Sequence, residues 1–333
     1  MRLGAFEATL REFGVATPGD LTVVSDQDLE RLGIKKLKVR QLRRALSPFL
    51  SGETVLRLWR ERCPALQRLW PAGTSAATWK GVVFGKRSYD AYGGRGARVV
   101  QISLLGMLGD AAEVPAELGS LSALAVLDLQ DNQLTRIPAE LGKLTALKEL
   151  RLNGNLLNQP TSIPAEIGKL TLLATLHFRM NKLMSVPAAV MDFSSLKTLD
   201  LNHNNLTSVP AAIGKLTSLT FLSLRANQLK CLPVEIGALS SLQFLGVALN
   251  QLQSVPTEVG RLTSLTTLHL ENNLLTSLPA ALAMLPLLSK LNLTNNKLTN
   301  LPVEYRNRGL SAFDGLAVHR AMQIDVGVTV DSK

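Results

Sequence analysis

Cysteine is scarce in this sequence of 333 residues, which contains only Cys63 and Cys231. The two lie in different regions of the chain, so they build no disulfide framework, and they lack the paired spacing of a zinc site. We therefore predict a protein that binds no metal ion and needs no cofactor.

Long apolar runs are also missing. No apolar run reaches the roughly 18 residues that a membrane-spanning helix needs. The N-terminal residues MRLGAFEATLREFG carry charges where a signal peptide has its apolar core. These absences predict a protein without a membrane span that resides in the cytoplasm, with the nucleus as the alternative compartment.

Charged residues make up 19% of the chain and hydrophobic residues 46%, which is a globular composition and not a disordered one. The net charge of +10 is unevenly distributed. Residues 1–100 hold 18 Lys or Arg against 9 Asp or Glu, whereas residues 101–333 hold 18 against 17. The basic character therefore belongs to the N-terminal third.

The dominant feature of the sequence is a repeat of 23 residues. The stretch LKTLDLNHNNLTSVPAAIGKLTS starts at Leu196 and returns in similar form at Leu219 and Leu242. A fixed period of this length is typical of solenoid architectures. The spacing rises to 26 once, where about three extra residues fall near Gln159–Thr161. An irregular first turn from Val99 precedes eight turns, which start at Leu124, Leu147, Leu173, Leu196, Leu219, Leu242, Leu265 and Leu288.

The pattern LxxLxLxxNxLxxLPxxIGxLxx resembles the leucine-rich repeats, and its "LP" and "IGxL" segments resemble the intracellular type found in Ras-pathway scaffolds and plant Ras-group proteins. The resemblance implies an α/β leucine-rich-repeat solenoid, a horseshoe whose parallel strands line the concave side. It also implies a non-enzymatic scaffold or adaptor in intracellular signalling that binds a protein partner on that side.

Segment 6–46 predicts a small helical unit that resembles a sterile alpha motif (SAM) domain, carried by Phe13-Gly14-Val15, Leu21, Ser25, Leu29 and Leu32-Gly33-Ile34. SAM domains mostly bind other SAM domains through the start of the last helix, and a few bind RNA or acidic lipid there. That region is basic here, with Lys35, Lys36, Lys38, Arg40, Arg43 and Arg44. A solvated helix, a SAM–SAM contact or self-association, and binding of nucleic acid or acidic lipid all remain open.

Four segments result from this organisation. Residues 1–50 form the SAM-like domain, residues 51–98 a linker and N-terminal cap, residues 99–309 the repeats, and residues 310–333 a C-terminal cap or tail. A cap is physically required, because the end repeat of a solenoid has an open apolar face and unpaired strand groups.

Each LxL predicts a short strand with its leucines buried, because side chains alternate between the two faces of a strand. The residues before, between and after the two leucines then point outward in three columns, one residue per turn. We call this outward surface the concave face. An asparagine follows every strand, and its amide can satisfy buried backbone groups where the chain leaves the sheet, so we predict a structural role for it.

Two aromatic residues stand next to each other in the first column of the concave face, Phe221 and Phe244. Gly246, Ala248 and Leu249 are expected to leave room beside them. Aromatic side chains flanked by arginine are typical of binding hot spots. The alternative is a cross-strand pair that only packs on itself. The predicted protein-binding residues are His177, Arg179, His203, Phe221, Arg225 and Phe244.

His177, Asp200 and Ser223 follow each other in the second column and invite a comparison with a catalytic triad. A triad needs histidine between serine and aspartate, whereas here aspartate lies between. His177, Asp200 and His203 also combine metal-ligand types, but an open sheet encloses no ion. We therefore predict neither catalysis nor a metal site.

Overall fold

A computed structural model describes residues 52–85, 88–89, 95–96, 98–109, 113–158 and 160–299. The predicted SAM-like module, including Lys35, Lys36, Lys38, Arg40, Arg43 and Arg44, lies outside the described residues. So does the predicted cap or tail at 310–333.

The described chain begins with two helices, α1 (Gly52–Arg62) and α2 (Pro64–Leu69), and has a further short helix, α3 (Ala280–Ala283), near its end. The strands are β1 (Val82–Phe84), β2 (Ser88–Tyr89), β3 (Arg95–Gly96), β4 (Val99–Ser103), β5 (Val126–Asp128), β6 (Glu149–Arg151), β7 (Thr175–His177), β8 (Thr198–Asp200), β9 (Phe221–Ser223), β10 (Phe244–Gly246), β11 (Thr267–His269) and β12 (Lys290–Asn292).

One sheet of ten strands runs through the repeats in the order β1, then β4 to β12. The strands from β4 to β12 pair in parallel. Paired residues are 23 positions apart in the sequence, except between β4 and β5, where the offset is 25, and between β6 and β7, where it is 26. Strand β1 pairs antiparallel with β4 and ends the sheet. The nine parallel strands equal in number the irregular first turn and the eight turns that follow it in the sequence.

The return segments form short 3₁₀ helices, in most turns directly after a proline, as in Ala211–Lys215 after Pro210. The leucines of the strands and the apolar residues of these helices meet in a continuous core. In the turn from Leu196, the side chains of Leu199, Leu201, Leu206 and Ile213 are fully buried. The longer turn contains a further 3₁₀ turn, Pro160–Ser162, where the extra residues were predicted, although Gln159 lies outside the described residues.

The asparagine that follows each strand bonds neighbouring turns together. Asn204 donates from Nδ2 to the carbonyls of Leu201 (3.1 Å) and, in the preceding turn, Phe178 (2.9 Å), and its Oδ1 accepts the N–H of Leu183 at 3.1 Å. The predicted structural role is confirmed in all eight turns, where these asparagines are at most 8% exposed: Asn132, Asn155, Asn181, Asn204, Asn227, Asn250, Asn273 and Asn296.

Three tryptophans organise the segment that precedes the first strand of the repeats. Trp59 contacts Trp70 edge to face at 6.2 Å, and Trp70 stacks on Trp79 at 4.8 Å. The indole N–H of Trp59 donates to the carbonyl of Glu113 in the first turn. Arg62 forms an ion pair with the buried Glu117 at 3.1 Å. The helices therefore cover the apolar end of the solenoid while β1 pairs with the edge of β4.

The concave face as a candidate binding site

Strands β8 to β11 place the central residues of the concave face side by side. Phe221 lies opposite Phe244, and Ser223 opposite Gly246, in the register of β9 and β10. The two phenyl rings stack with their centroids 4.4 Å apart and an angle of 7° between their planes. This is the cross-strand pair that the sequence offered as the alternative, and because both rings remain half exposed, the pair also presents an apolar surface to solvent.

A third ring that the sequence analysis did not select, His269, completes this cluster. It contacts Phe244 edge to face, with ring centroids 5.3 Å apart. His269 belongs to the second column and Phe244 to the first, on adjacent strands. The contact could have been predicted, because the two residues lie on neighbouring strands. Comparing residues only within one column does not reveal it, because the two residues stand in different columns.

The expectation that Gly246 leaves open room beside the aromatic pair is wrong. A Cβ atom at Gly246 would lie 2.9 Å from Cε1 of Phe244 and 3.0 Å from Oγ of Ser223. The Phe244 ring therefore occupies the space above Gly246. The glycine is needed because this ring leans along its own strand from the first column toward the second.

Ala248 is likewise buried, although its position in the third column was predicted to be open. Its neighbours in that column are Arg225 on one side and Glu271 on the other, and Nη1 of Arg225 lies 3.1 Å from Oε1 of Glu271. This ion pair spans two strand spacings, so it crosses the intervening alanine. Glu271 was missed by the sequence analysis, and its other oxygen, Oε2, is buried with no hydrogen-bond partner in the described structure.

The structure brings His177, Asp200 and Ser223 into register on three adjacent strands, with aspartate in the middle as predicted. Ser223 is buried and donates its hydroxyl proton to Oδ1 of Asn202 at 2.6 Å, so the hydroxyl is bonded to an amide and not to an imidazole. Burial lowers the pKa of His177 below its usual 6.5, although the Asp200 carboxylate opposes the shift. The imidazole is therefore mostly neutral at pH 7.

Arg179 and His203 lie after β7 and β8, respectively, and both are exposed. The backbone N–H of Arg179 donates to Oδ1 of Asn153 at 2.8 Å. His203 adopts a left-handed backbone conformation with φ of 53°. These two residues flank the aromatic cluster on one side. Of the two arginines predicted on the concave face, Arg225 forms an ion pair with a carboxylate within the described structure.

The left-handed conformation recurs in every turn three residues after the last residue of the strand. Besides Ala226, two large apolar residues adopt it, Met180 and Leu249. They are 56% and 38% exposed. This conformation disfavours a residue with a Cβ atom other than Asn or Asp, so neither fold nor solvation explains an exposed apolar side chain here. Within the described ranges, no group of three His, Cys, Asp or Glu is placed to hold a metal ion.

These features define a solenoid of parallel strands with a buried asparagine ladder, and three family models match it. A model described as leucine-rich repeat region matches residues 211–304, one described as leucine rich repeat matches residues 158–229, and one described as two copies of the repeat matches residues 122–165. The chain therefore belongs to the leucine-rich-repeat proteins.

Solved structures with this fold include the protein LIC12759 of Leptospira interrogans, at 39% identity and a TM-score of 0.56 over 59% of this chain and 49% of that chain. A second structure is the ectodomain of the plant membrane receptor kinase GASSHO1/SCHENGEN3 from Arabidopsis thaliana, in complex with CASPARIAN STRIP INTEGRITY FACTOR 2. It is 27% identical, with a TM-score of 0.60, over 77% of this chain and 34% of that chain. A TDR receptor is 30% identical, with a TM-score of 0.55, over 59% of this chain and 35% of that chain.

The chain thus spans between about a third and a half of the length of these proteins. None of the curated proteins matches the sequence. Among the described residues, the helices are too short or too polar to cross a membrane.

Proposed function

We propose that this protein is a non-catalytic binding protein that captures a protein partner on the concave face and acts as a scaffold or adaptor in intracellular signalling. Leucine-rich-repeat proteins generally mediate protein–protein interactions, and the Arabidopsis ectodomain was solved in complex with CASPARIAN STRIP INTEGRITY FACTOR 2. The observation that carries the proposal is the stacked, half-exposed pair of Phe221 and Phe244 in the middle of a mostly polar surface.

Aromatic and arginine side chains dominate the energetics of many protein interfaces, because large apolar surfaces and multiple donors are desolvated together. The aromatic pair lies on strands β9 and β10, and the Arg225–Glu271 ion pair borders it in the third column. Arg179, His203 and the exposed Leu249 extend the surface along one edge. His177 extends it in the second column toward the N-terminal half of the sheet.

The double variant Phe221→Ala with Phe244→Ala is expected to stay folded and to abolish partner capture. Loss of two interface aromatics costs about 2 kcal/mol or more each at a hot spot. The measurement is affinity capture with the full chain as bait, quantified for each co-purifying protein. Circular dichroism of the same preparation checks that the solenoid is intact.

A matched control truncates two exposed apolar residues outside the concave face, Leu172→Ala with Val234→Ala, which are 51% and 52% exposed. Capture by this control should equal that of the wild type. If the phenylalanine variant retains every partner that the control retains, the concave face is not the binding surface.

The concentration of positive charge in residues 1–100 favours a second candidate activity, in which Lys35, Lys36, Lys38, Arg40, Arg43 and Arg44 contact phosphate groups of RNA or acidic lipid, or a second SAM module. Phosphate contacts predict a steep loss of affinity with added salt. Titration of the full chain and of a 52–333 truncation with single-stranded RNA and with phosphatidylserine vesicles at two salt concentrations separates these alternatives. Equal binding by both chains would show that the basic segment is not the phosphate-binding site.

A further inference from the structure

A strip of the concave face lies beside the aromatic pair, toward the N-terminal half of the sheet, and we call it the slot. Its floor is formed by four half-exposed residues of β7 and β8: Thr175, His177, Thr198 and Asp200. Phe221 on β9 bounds one side and Glu149 on β6 the other. Three strand spacings separate these two walls, which corresponds to about 14 Å.

The free face of the Phe221 ring points into this slot. The stacking distance of 4.4 Å between Phe221 and Phe244 is close to the spacing of neighbouring strands, about 4.8 Å, so the rings face each other across the strands. The Phe244 ring extends over Gly246, and the parallel Phe221 ring therefore extends along β9 toward the buried Ser223. The opposite face of Phe221 looks over Thr198 and Asp200, its neighbours in the register of β8.

Asp200 places a negative charge under that aromatic face. Its Oδ1 accepts the backbone N–H of Asn202 at 3.0 Å. Ion pairs on the concave face join Arg151 to Asp128 and Glu149 and join Arg225 to Glu271, and none of the described Lys or Arg residues forms one with Asp200. Among the four floor residues, Asp200 carries the single formal charge, because the lowered pKa keeps His177 mostly neutral at pH 7.

A planar cation is complementary to this combination. A guanidinium group can stack on an aromatic face and at the same time donate two hydrogen bonds to a carboxylate, which the compact ammonium of lysine cannot do. The small threonines at positions 175 and 198 leave the floor low enough for a side chain to lie against Phe221. Arg225 is unavailable for this role because it is paired with Glu271.

We propose that the partner inserts an arginine side chain into this slot, stacked on Phe221 and paired with Asp200. This inference rests on the proposed function, because it specifies the chemistry of the partner at the concave face. It predicts a preference for arginine over lysine, over aromatic residues and over the neutral isostere citrulline.

Random linear peptides displayed on phage, selected on the full chain, test the inference without knowledge of the natural partner. We expect the selected peptides to share an arginine. The resynthesised peptide should lose about tenfold in affinity or more when citrulline replaces that arginine, because the charge-assisted contact is lost. The variants Asp200→Asn and Phe221→Leu should cause losses of similar size.

Asp200→Asn keeps an oxygen for the N–H of Asn202, so the local backbone contact is retained. Asp192→Asn, an exposed acid of a return segment, serves as the matched control and should bind the peptides as the wild type does. Peptides that bind equally well with citrulline, or equally well to Asp200→Asn, would overturn the arginine inference.

The two levels of the proposal fail differently. Selected peptides that lack arginine but lose binding to Phe221→Ala with Phe244→Ala would overturn the inference and leave concave-face binding intact. Selected peptides that ignore all of these variants, or the absence of any selected peptide, would count against the arginine slot and against the concave face together.

Discussion

At the scale of single residues, the repeat depends on an amide that no other side chain replaces. Each ladder asparagine supplies two N–H donors and one carbonyl acceptor from a single buried group. At Asn204 these atoms bond to Phe178, Leu201 and Leu183 across two turns. Aspartate lacks the donors, and a hydroxyl cannot reach three partners. The side chain therefore links the turns as well as ending the strand.

Asn204→Ala should lower the free energy of unfolding by about 3 kcal/mol or more, because each buried backbone group left without a partner costs about 1–3 kcal/mol. Urea unfolding of the purified variant measures this change. The neighbouring Asn205 is exposed, so Asn205→Ala is a matched control and should stay within about 0.5 kcal/mol of the wild type. Equal losses for both variants would contradict the role of the ladder.

His177 should make stability depend on pH. Because burial lowers its pKa in the folded state, the unfolded chain takes up the proton first as the pH falls below about 6.5. Stability is therefore unaffected well above that pH and decreases through the range between the unfolded and folded pKa values. Thermal unfolding of the wild type and His177→Gln between pH 7.5 and pH 5 measures the difference, and the variant should show the shallower decline.

His203→Gln is the control for this variant, because it removes an exposed histidine that follows the neighbouring strand β8. Its profile should follow that of the wild type. A His177→Gln profile that also parallels the wild type would show that the imidazole is not the responsible group.

At the scale of elements, neighbouring strands adjust to one another's side chains. Gly246 accommodates the Phe244 ring, and the short side chain of Ala248 lets Arg225 reach Glu271 across β10. Both small residues are therefore determined by neighbours and not by their own strand. Three consecutive strands, β9 to β11, act as one unit that fixes the aromatic cluster and its adjacent ion pair.

Arg225→Ala should destabilise this unit modestly, by about 1 kcal/mol, because Arg225 is 43% exposed and solvent screens the pair. The loss arises largely from Glu271, whose side chain is 12% exposed and would lose its ion-pair partner. Glu271→Gln in the Arg225→Ala background should recover part of the stability. A double-mutant cycle in urea measures the coupling, and additive effects would contradict the ion pair's contribution.

At the scale of the whole molecule, stability depends on covering the ends of the solenoid, because the apolar core of the end turns would otherwise be exposed to solvent. The cap packs closely on the first turn, since a Cβ atom at Gly52 would lie 2.8 Å from a methyl group of Val99. The Arg62–Glu117 pair and the Trp59 hydrogen bond join the same two regions. The helices and β1 therefore belong to the solenoid as much as the repeats do.

Removing residues 1–98 should unfold or aggregate the protein, whereas removing residues 1–51 should leave the repeats folded. The longer deletion exposes the edge of β4 and the buried side chains of Ile102 and Leu118. Circular dichroism melts and light scattering of both truncations give the comparison. A cooperative, monomeric 99–333 chain would contradict a required cap.

Light scattering also tests the alternative that the SAM-like segment, residues 1–50, self-associates. The full chain should then be larger than expected for a monomer, and the 52–333 chain should be monomeric. If the full chain and the 52–333 chain form particles with the same number of chains, the first 51 residues do not drive oligomerisation.

By itself, the sequence determined the period, the nine parallel strands, the buried leucines and the structural asparagines. It did so because backbone hydrogen bonding and burial are repeated identically in every turn, and any position under such a constraint becomes visible by comparing turns. The pairing of Phe221 with Phe244 was also readable, since both occupy one column.

Only the tertiary structure decided what the variable positions do together. The edge contact of His269 with Phe244, the ring over Gly246 and the ion pair across Ala248 all join different columns or non-adjacent strands. Such contacts depend on rotamers, on side-chain length and on which neighbour is small, and none of these repeats with the 23-residue period. The solenoid is thus encoded turn by turn, whereas the candidate binding surface depends on contacts between unlike turns.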